Sequence, residues 1–560
     1  MKQFKCLLIA DFNIANLAGY LNNLEQPPEI AVEMAPYGNV IQSLMGEKES
    51  DHNILFVWTL PQSISGAFGR AMNFEHISPE DVLKEVDAFC SILLQAAQKT
   101  DYIFIPQWVL PTYYRGYGLI DMKEGVGLAH LLNEMNMRFK ENLKGSTNVF
   151  VLNTNKWIES AGKNAFNPKL WYMAKIAFSN EVFHLAALDI QSACRTVSGQ
   201  NKKFIIVDLD DTLWGGILGD DGIENLKLGG HDPIGEALAD FQKSLKALTR
   251  KGILLGIASK NDEELALKAI GEHPEMILKK ADFAGWRINW KDKAQNIVDL
   301  VADLNIGLQT VVFIDDNPVE RARVREALPE VFVPDWPQDK MLFTSALQEL
   351  SCFDSNAVSQ EDINRTAMYA SERERKDLKL SVGSYEDWLK TLEINVRVEA
   401  LDEVNRQRVL QLLNKTNQMN LATRRLTENG LDQWAAEDGH WMWAVRVSDR
   451  FGDSGLSGIL SLDVNGHEGK IADFVLSCRV MGRKIEETML NVLTSYGKAL
   501  DLKQLSANFV ETPKNKPCYE FWNNSGFSHN PQTNEFTWDL DKEYEVPVCI
   551  KLEKSSLIEA

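Results

Sequence analysis

Residues 204–216 read FIIVDLDDTLWGG, an apolar β-branched run followed by three aspartates within four positions. The run FIIV is typical of a buried strand, and the crowded carboxylates that follow it repel one another. A surface loop gains nothing from that repulsion, whereas a bound divalent cation such as Mg²⁺ prefers carboxylate oxygens and removes it. Asp208 and Asp210 can face one crevice, because side chains two apart in an extended chain point the same way. The stretch predicts a metal site at the carboxyl end of a parallel strand.

The size and composition of the chain limit its possible functions. It has 560 residues and a formal charge of −20, and this length predicts about three domains. An acidic chain without a basic stripe argues against nucleic-acid binding. Seven cysteines without CxxC or Cys/His spacing are typical of reduced thiols in a cytoplasmic protein. We find neither a signal peptide nor an apolar run of about 18 residues, so no membrane partner is expected.

The chain divides into four segments by its pattern of predicted helices and strands. Residues 1–198 alternate short apolar strands with helical patterns, which predicts a parallel sheet covered by helices. Residues 199–345 repeat that alternation, and residues 346–384 read as a charged helical connector. Residues 385–560 combine antiparallel strand patterns with a long helix. The predicted fold class is therefore α/β, with a C-terminal α+β domain.

Three more predicted strands of the second segment end in polar residues. In chain order these are Ser259 with Lys260 and Asn261, then Lys291 and Lys293, then Asp315 and Asp316. Because the carboxyl ends of parallel strands meet at one edge, we expect them beside Asp208 and Asp210. In phosphoryl transfer one carboxylate attacks phosphorus and a second moves a proton, while hydroxyl and ammonium groups bind the phosphoryl oxygens. The set predicts that reaction.

The order of these motifs resembles that of the haloacid dehalogenase (HAD) superfamily. Its motifs are a strand with Asp-x-Asp-x-Thr, a strand-end Ser or Thr, a lysine and a strand-end acidic pair. The resemblance implies a central Rossmann-like sheet, with Asp208 as the nucleophile that forms an aspartyl-phosphate and Asp210 as the general acid and base. It implies Mg²⁺ bound by Asp208, the backbone carbonyl of Asp210, and Asp315 or Asp316. The implied substrate-binding residues are Thr212, Ser259, Lys260, Asn261 and a motif-three lysine.

Two other interpretations explain the acidic cluster less well. A solvated turn accounts for DLDD alone, but not for four motifs in order. A phosphorelay receiver domain has its acidic pair after the first strand and lacks Asp-x-Asp-x-Thr. Many HAD enzymes carry a cap domain after the first motif or between the second and third. Here about forty residues separate the first motif from the strand that begins at 253, and about thirty-four separate Ser259 from Lys293. Both intervals are too short for a cap domain with its own core. The site is therefore predicted to be open in the free protein. A large substrate or a neighbouring domain would then exclude water from it.

Five segments together resemble the FkbH-like proteins, an uncapped HAD subfamily (type IIIC). They are DLDDTLWGGILGDDG, INWKDK, FIDDNPVER, LLNKTNQMN and RFGDSGLSG, and the resemblance spans nearly the whole chain. It implies an N-terminal SGNH-hydrolase-like, flavodoxin-like domain, a capless HAD core and a C-terminal acetyltransferase-like (GNAT) domain. It also implies an activated phosphoglycerate whose glyceryl unit passes to the phosphopantetheine thiol of an acyl carrier protein. The family spacing from the Trp of INW selects Lys293 over Lys291. Many relatives carry Cys where this chain has Phe204, so a relay through that thiol is not expected.

The N-terminal domain lacks the catalytic set of an SGNH hydrolase. Its first strand ends IADFNIAN, without Ser or Thr, and His184 and Asp189 stand in the wrong order for Asp-x-x-His. A serine hydrolase needs both the nucleophile and its base. We therefore predict a non-hydrolytic scaffold or a docking surface for a partner.

The C-terminal domain carries an incomplete acetyltransferase motif. The segment SCRVMGRKIEE resembles the pyrophosphate loop of acetyltransferases through Arg479 and Gly482, but Lys484 stands where a small residue is expected. A groove there could take a phosphopantetheine arm or coenzyme A, although a purely structural domain is the stronger expectation.

The leading hypothesis is a Mg²⁺-dependent HAD-type phosphatase that acts on a phosphorylated small acid and loads the acyl unit onto a carrier protein. One alternative is an acyltransferase that uses the C-terminal domain. The other is a non-catalytic assembly protein for a carrier-protein pathway.

Overall fold

The chain is described by a computed structural model that covers residues 4–24, 27–46, 52–355, 360–426 and 428–554. It forms two compact units, residues 1–205 with 307–359 and residues 206–306 with 360–560. No helix in the described ranges is long and apolar enough to cross a membrane. The domain boundaries predicted above stay predictions.

The N-terminal part of the first unit is built on a parallel five-stranded sheet. Its strands are β1 (Phe4–Ala10), β2 (Ile30–Met34), β3 (Ile54–Trp58), β4 (Tyr102–Pro106) and β5 (Val149–Leu152), in the order β2-β1-β3-β4-β5. Alternate residues of the strands enter two separate cores, since Leu8 and Phe56 belong to one and Ile9 and Val57 to the other. Both faces are therefore covered, which explains why the strands are continuously apolar. The order is that of flavodoxin-like folds.

Nine helices described in this part accompany the sheet. They are α1 (Ala15–Asn22), α2 (Val40–Met45), α3 (Pro61–Ile64), α4 (Gly66–Met72), α5 (Pro79–Ala97), α6 (Leu128–Leu143), α7 (Thr154–Ala161), α8 (Pro168–Ala174) and α9 (Asn180–Val197).

A second sheet contains the strands that precede the polar motifs. Its order is β8-β7-β6-β9, with β6 (Phe204–Val207), β7 (Leu254–Ser259), β8 (Gly285–Ile288) and β9 (Val311–Ile314). Every residue of β6, β7 and β9 is buried. The helices are α10 (Leu218–Asp221), α11 (Pro233–Thr249), α12 (Glu263–Glu272), α13 (Lys293–Asp303), α14 (Pro318–Ala327) and α15 (Phe343–Gln348). The described chain forms only short turns and helices between β6 and β7 and between β7 and β8, so this sheet is capless as predicted.

The helices that follow these strands begin at side-chain caps. Asp232, Asp262 and Asp292 each accept a hydrogen bond from a backbone amide in the first turn of α11, α12 and α13, respectively. Such caps satisfy amides that have no partner within the helix. The caps determine the residue at which each helix begins, and therefore where the preceding loop ends.

The C-terminal part of the second unit is a mixed sheet with helices. Its order is β16-β17-β15-β14-β13-β12-β10-β18, with β11 paired to β14. The strands are β10 (Ile394–Ala400), β11 (Met419–Asn420), β12 (His440–Asp449), β13 (Gly452–Asn465), β14 (Glu468–Leu476), β15 (Gln504–Asn508), β16 (Ser528–Asn530), β17 (Glu535–Asp539) and β18 (Ile550–Lys554). The helices are α16 (Gln360–Ser381), α17 (Tyr385–Thr391), α18 (Arg406–Lys415), α19 (Glu428–Ala435), α20 (Ile485–Ala499) and α21 (Lys516–Asn524). The predicted α/β fold class with a C-terminal α+β domain is confirmed.

Helix α16 is linked to strand β12 by a buried ion pair between Arg375 and Asp449. The Arg375 guanidinium donates two hydrogen bonds to the Asp449 carboxylate, at 2.7 and 2.8 Å. Arg483 donates to the same carboxylate at 3.3 Å, and the side chains of Arg483 and Asp449 are both buried. The charged sequence of this region predicted a connector, and the structure shows that one of its charges lies in a protein interior.

We expect Arg375→Ala to lower the free energy of unfolding by about 3–5 kcal/mol, because it leaves the Asp449 carboxylate buried without its main partner. Urea unfolding measures this loss. The control is Arg397→Ala, since the ion pair of Arg397 with Glu399 is largely exposed on the arginine side and is expected to contribute less than about 1 kcal/mol. Equal losses in the two variants would contradict the expectation.

Candidate active site

The loop after β6 is folded tightly upon itself. The Leu209 carbonyl accepts hydrogen bonds from the amides of Thr212 and Leu213, at 3.1 and 2.8 Å. Asp211 adopts a left-handed backbone conformation (φ +55°), and its carboxylate accepts a hydrogen bond from the Gly216 amide at 2.8 Å. Asp tolerates that conformation better than most residues do. The loop is therefore rigid, and it fixes the directions of the side chains on either side of Leu209.

Asp208 is buried beside a lysine. Its Oδ2 lies 3.0 Å from Lys293 Nζ, and the two side chains are 9% and 4% exposed. Its Oδ1 is also buried and has no hydrogen-bond partner among the described residues. A buried carboxylate oxygen without a partner is costly, so this atom is suited to a ligand that the protein itself does not supply.

Three carboxylates at the ends of neighbouring strands lie close together. Asp208 follows β6, and Asp315 and Asp316 follow β9, which is its neighbour in the sheet. Each offers one oxygen, and these oxygens lie within 4.8 Å of one another. A set of hard oxygen donors that includes the orphaned Asp208 fits Mg²⁺. This group contains side-chain oxygens only, so the predicted role of the Asp210 backbone carbonyl as a metal ligand stays a prediction.

The Asp210 side chain is held by three hydrogen-bond donors. Its Oδ1 accepts from Trp214 Nε1 at 2.9 Å and from the Leu218 amide at 3.1 Å. Its Oδ2 accepts from Asn261 Nδ2 at 3.0 Å. Burial raises the pKa of this carboxyl, the Trp214 and Leu218 donors lower it in part, and the charge of Asp208 adds to the rise. A carboxyl that is held in one orientation and has a raised pKa is suited to general acid catalysis.

The other predicted substrate-binding residues lie on the same strand ends. Ser259 is buried at the end of β7, and Thr212 is fully buried in the loop after β6. Lys260 is exposed. Asn261, which we expected to bind substrate, directs its amide to Asp210 instead.

Sequence reasoning did not foresee that Trp214 and Asn261 orient Asp210, although Asn261 was predicted to be part of the site. Trp214 is fully buried and donates to Oδ1, while Asn261 donates to Oδ2. The only signal in the sequence was their position in the loops that follow β6 and β7. That position does not reveal which way a side chain points.

We expect Trp214→Phe to lower turnover by about tenfold, because the loss of one of three donors leaves Asp210 less well oriented. The loss should be larger for an alkyl phosphate than for 4-nitrophenyl phosphate, whose leaving group needs no proton. Steady-state kinetics with both substrates measures this difference. Trp441→Phe, a change in the C-terminal sheet, is the control. Equal losses with both substrates would assign Trp214 a purely structural role.

The strand ends of the N-terminal domain show structural hydrogen bonds. Asp11, which follows β1, accepts the Leu60 amide at 2.9 and 3.2 Å. Asp189 accepts a hydrogen bond from Trp157 Nε1 at 2.6 Å, and the His184 ring packs 5.2 Å from that of Tyr20. His184 and Asp189 are therefore engaged in packing. The interpretation of this domain as a non-hydrolytic scaffold stays a prediction.

The pyrophosphate-like loop of the C-terminal domain does not fit a bound pyrophosphate. The Gly482 amide, which would face that anion, donates instead to Glu486 Oε1 at 2.8 Å. Glu486 is buried, and burial raises its pKa. Arg479 donates to Ser477 Oγ at 3.3 Å. The anion position is therefore filled by the protein's own carboxylate, which disfavours the predicted roles of Arg479 and Gly482 in binding coenzyme A.

The edge of β14 beside this loop is also occupied. Met419 and Asn420 pair with Leu476 and Val475, and the Leu421 amide donates to the Phe474 carbonyl at 3.1 Å. The backbone groups at the C-terminal end of β14 thus have partners within the chain. They are not available to hydrogen-bond an amide-containing pantetheine arm.

The chain is similar to solved structures of two kinds. One is the N-terminal part of the protein BF1531 from Bacteroides fragilis, which contains a phosphatase domain and was solved in complex with Mg. It is 26% identical over 64% of this chain and 95% of that chain, with a TM-score of 0.57. This likeness agrees with a phosphatase-type domain in the present chain.

Acetyltransferases form the second kind. They include a spermidine/spermine N-acetyltransferase, SpeG, from Vibrio cholerae (12% identity, 28% of this chain and 96% of that chain, TM-score 0.21). An acetyltransferase of the GNAT family from Staphylococcus aureus Mu50 is 10% identical over 26% of this chain and 99% of that chain, with a TM-score of 0.21. Likenesses at this level carry no conclusion about activity. Comparisons with family models and with curated proteins gave no match.

Proposed function

We propose that the chain is a Mg²⁺-dependent phosphatase of the HAD type, similar to the FkbH-like proteins. Its substrate would be a phosphorylated small acid of the glycerate phosphate class. Where the carboxyl group is activated as an acyl phosphate, the thiol of an acyl carrier protein would attack the acyl carbon, so that a thioester forms as the bond to phosphate breaks and phosphate leaves. The observation that supports this most strongly is the state of Asp208. One of its buried oxygens lies 3.0 Å from Lys293 Nζ, and the other has no hydrogen-bond partner among the described residues. An oxygen of Asp208 also lies within 4.8 Å of oxygens of Asp315 and Asp316.

Each residue of the site has a task in this reaction. Asp208 attacks phosphorus, the bond from phosphorus to the leaving oxygen breaks, and Asp210 gives its proton to that oxygen. Asp210 then takes a proton from the water that attacks the aspartyl-phosphate, which releases phosphate and restores the Asp208 carboxylate and the protonated Asp210. Lys293 and Ser259 bind the phosphoryl oxygens. Mg²⁺, held by Asp208, Asp315 and Asp316, would neutralise the charge that gathers on the phosphoryl group.

The test is a panel of phosphorylated small acids with Mg²⁺, with and without a phosphopantetheinylated carrier protein. We expect phosphate release that requires Mg²⁺, and acyl loading of the carrier detected by intact-protein mass spectrometry. Phosphate release without loading would leave a plain phosphatase. If no phosphate is released from any member, the phosphatase assignment is wrong.

The acyltransferase alternative makes an opposite prediction about coenzyme A. Because Glu486 occupies the Gly482 amide, we expect no saturable heat in calorimetric titrations with acetyl-CoA. Arg479→Ala should leave that result unchanged. Saturable binding that Arg479→Ala abolishes would favour the acyltransferase.

A further inference from the structure

Two large apolar side chains are exposed on the loops that carry the candidate site. Trp290 is 76% exposed on the loop between β8 and α13, and Ile217 is 49% exposed directly before α10. Covering a water-exposed indole or branched alkyl group with a ligand lowers the free energy, because apolar surface is removed from water. Their position is what makes them informative, since single exposed apolar residues elsewhere on a surface are ordinary.

Trp290 lies beside two groups assigned above to the phosphoryl oxygens. It is three residues from Lys293, whose ammonium contacts Asp208. Its neighbour Asn289 donates its amide to the Ser259 carbonyl at 3.0 Å. Trp290 therefore belongs to a short segment that contacts the strand of Ser259 through Asn289 and the nucleophile Asp208 through Lys293.

Hydrogen bonds hold this segment in one conformation. Asn289 Oδ1 accepts from the Lys291 amide and from Asn296 Nδ2, both at 3.0 Å. Asp292 caps α13 by accepting the Gln295 amide at 3.2 Å. A large apolar group on a rigid loop is suited to binding, because little side-chain and loop ordering remains to oppose association.

Ile217 is placed in the same way beside the general acid. The amide of the next residue, Leu218, donates to Asp210 at 3.1 Å. The Ile217 amide donates to Asp221 at 2.8 Å, which fixes the start of α10. Asp210 gives its proton to the leaving oxygen, and the backbone that carries Ile217 is anchored to Asp210 through the adjacent amide.

We propose that Trp290 and Ile217 form an apolar rim that binds the carbon skeleton of the substrate beyond its phosphoryl group. The inference rests on the proposed phosphatase function and deepens it.

The test compares two non-hydrolysable phosphonates by calorimetry on the full chain with Mg²⁺. We expect benzylphosphonate to bind about tenfold more tightly than methylphosphonate, which is the size of effect that one aromatic contact produces. Trp290→Ala should remove this preference, Trp290→Phe should keep most of it, and Ile217→Ser should reduce it. Methylphosphonate affinity should stay the same in all three variants. These exposed side chains make little contribution to the core, so the variants should fold.

Trp441→Ala is the matched control, since Trp441 is 41% exposed on β12 in the C-terminal sheet. It should leave the preference unchanged. A preference that persists in Trp290→Ala, or is absent from the unaltered chain, would overturn the apolar rim while leaving the phosphatase proposal intact. If neither phosphonate binds the unaltered chain, the phosphoryl site itself, and with it the proposed function, is wrong.

Discussion

Asp208→Asn is expected to lower phosphatase turnover by at least about 10³-fold, since the loss of a nucleophile removes most of the catalysis of a concerted residue set. The amide oxygen of Asn can still accept the hydrogen bond from Lys293, which lies 3.0 Å from the carboxylate. The substitution also removes one of three crowded carboxylates. The fold should therefore persist, which circular dichroism and the thermal unfolding midpoint would show.

Asp211→Asn provides a closely matched control for this prediction. It is the same chemical change in the same loop, at a carboxylate that accepts the Gly216 amide. Asn accepts that hydrogen bond equally well and tolerates the left-handed conformation of Asp211. Turnover should remain close to that of the unaltered chain. Comparable turnover in Asp208→Asn would exclude an aspartyl-phosphate at this position.

The strand ends of the second sheet could be predicted from sequence, because one pattern specifies both place and chemistry. A continuous apolar run marks a strand buried on both faces, and its first polar residue must lie at the carboxyl edge. This reasoning placed Asp208, Ser259 and the pair Asp315 and Asp316 at strand ends, where the structure has them. The same reasoning anticipated the capless topology from interval lengths alone.

Side-chain direction could not be predicted in this way. Asn261 was expected to face substrate, but its amide contacts Asp210, because the choice depends on loop hydrogen bonds that no periodicity encodes. Glu486 was not recognised as the group that fills the Gly482 amide. Arg375 was predicted only as part of a charged helical connector, since a sequence shows charge but not the buried partner, here Asp449, that makes burial tolerable.

Lys293→Met is expected to destabilise the metal-free protein by about 3–5 kcal/mol, because it leaves the buried Asp208 carboxylate without its cation. Methionine replaces the lysine chain with little change in volume, so the loss reports charge rather than packing. Turnover should fall as well, since Lys293 binds the transferring phosphoryl group. Urea unfolding in the presence of a chelator measures the stability change.

The matched control is Lys246→Met, which breaks the ion pair of Lys246 with Asp282. The charged atoms of this pair are 2.9 Å apart, a similar distance, but its side chains are more exposed, at 34% and 19%. Solvent screens this pair, so its loss should be no more than about 1 kcal/mol.

Mg²⁺ should separate the two variants further. If the cation binds Asp208, it supplies the positive charge that Lys293→Met removes, so Mg²⁺ should stabilise this variant more than it stabilises the unaltered chain. The double variant Asp208→Asn/Lys293→Met should recover part of the stability lost in Lys293→Met, because no uncompensated carboxylate remains at residue 208. A Lys293→Met protein that Mg²⁺ stabilises no more than it stabilises the unaltered chain would mean that the cation does not bind Asp208. The orphaned oxygen would then need another ligand.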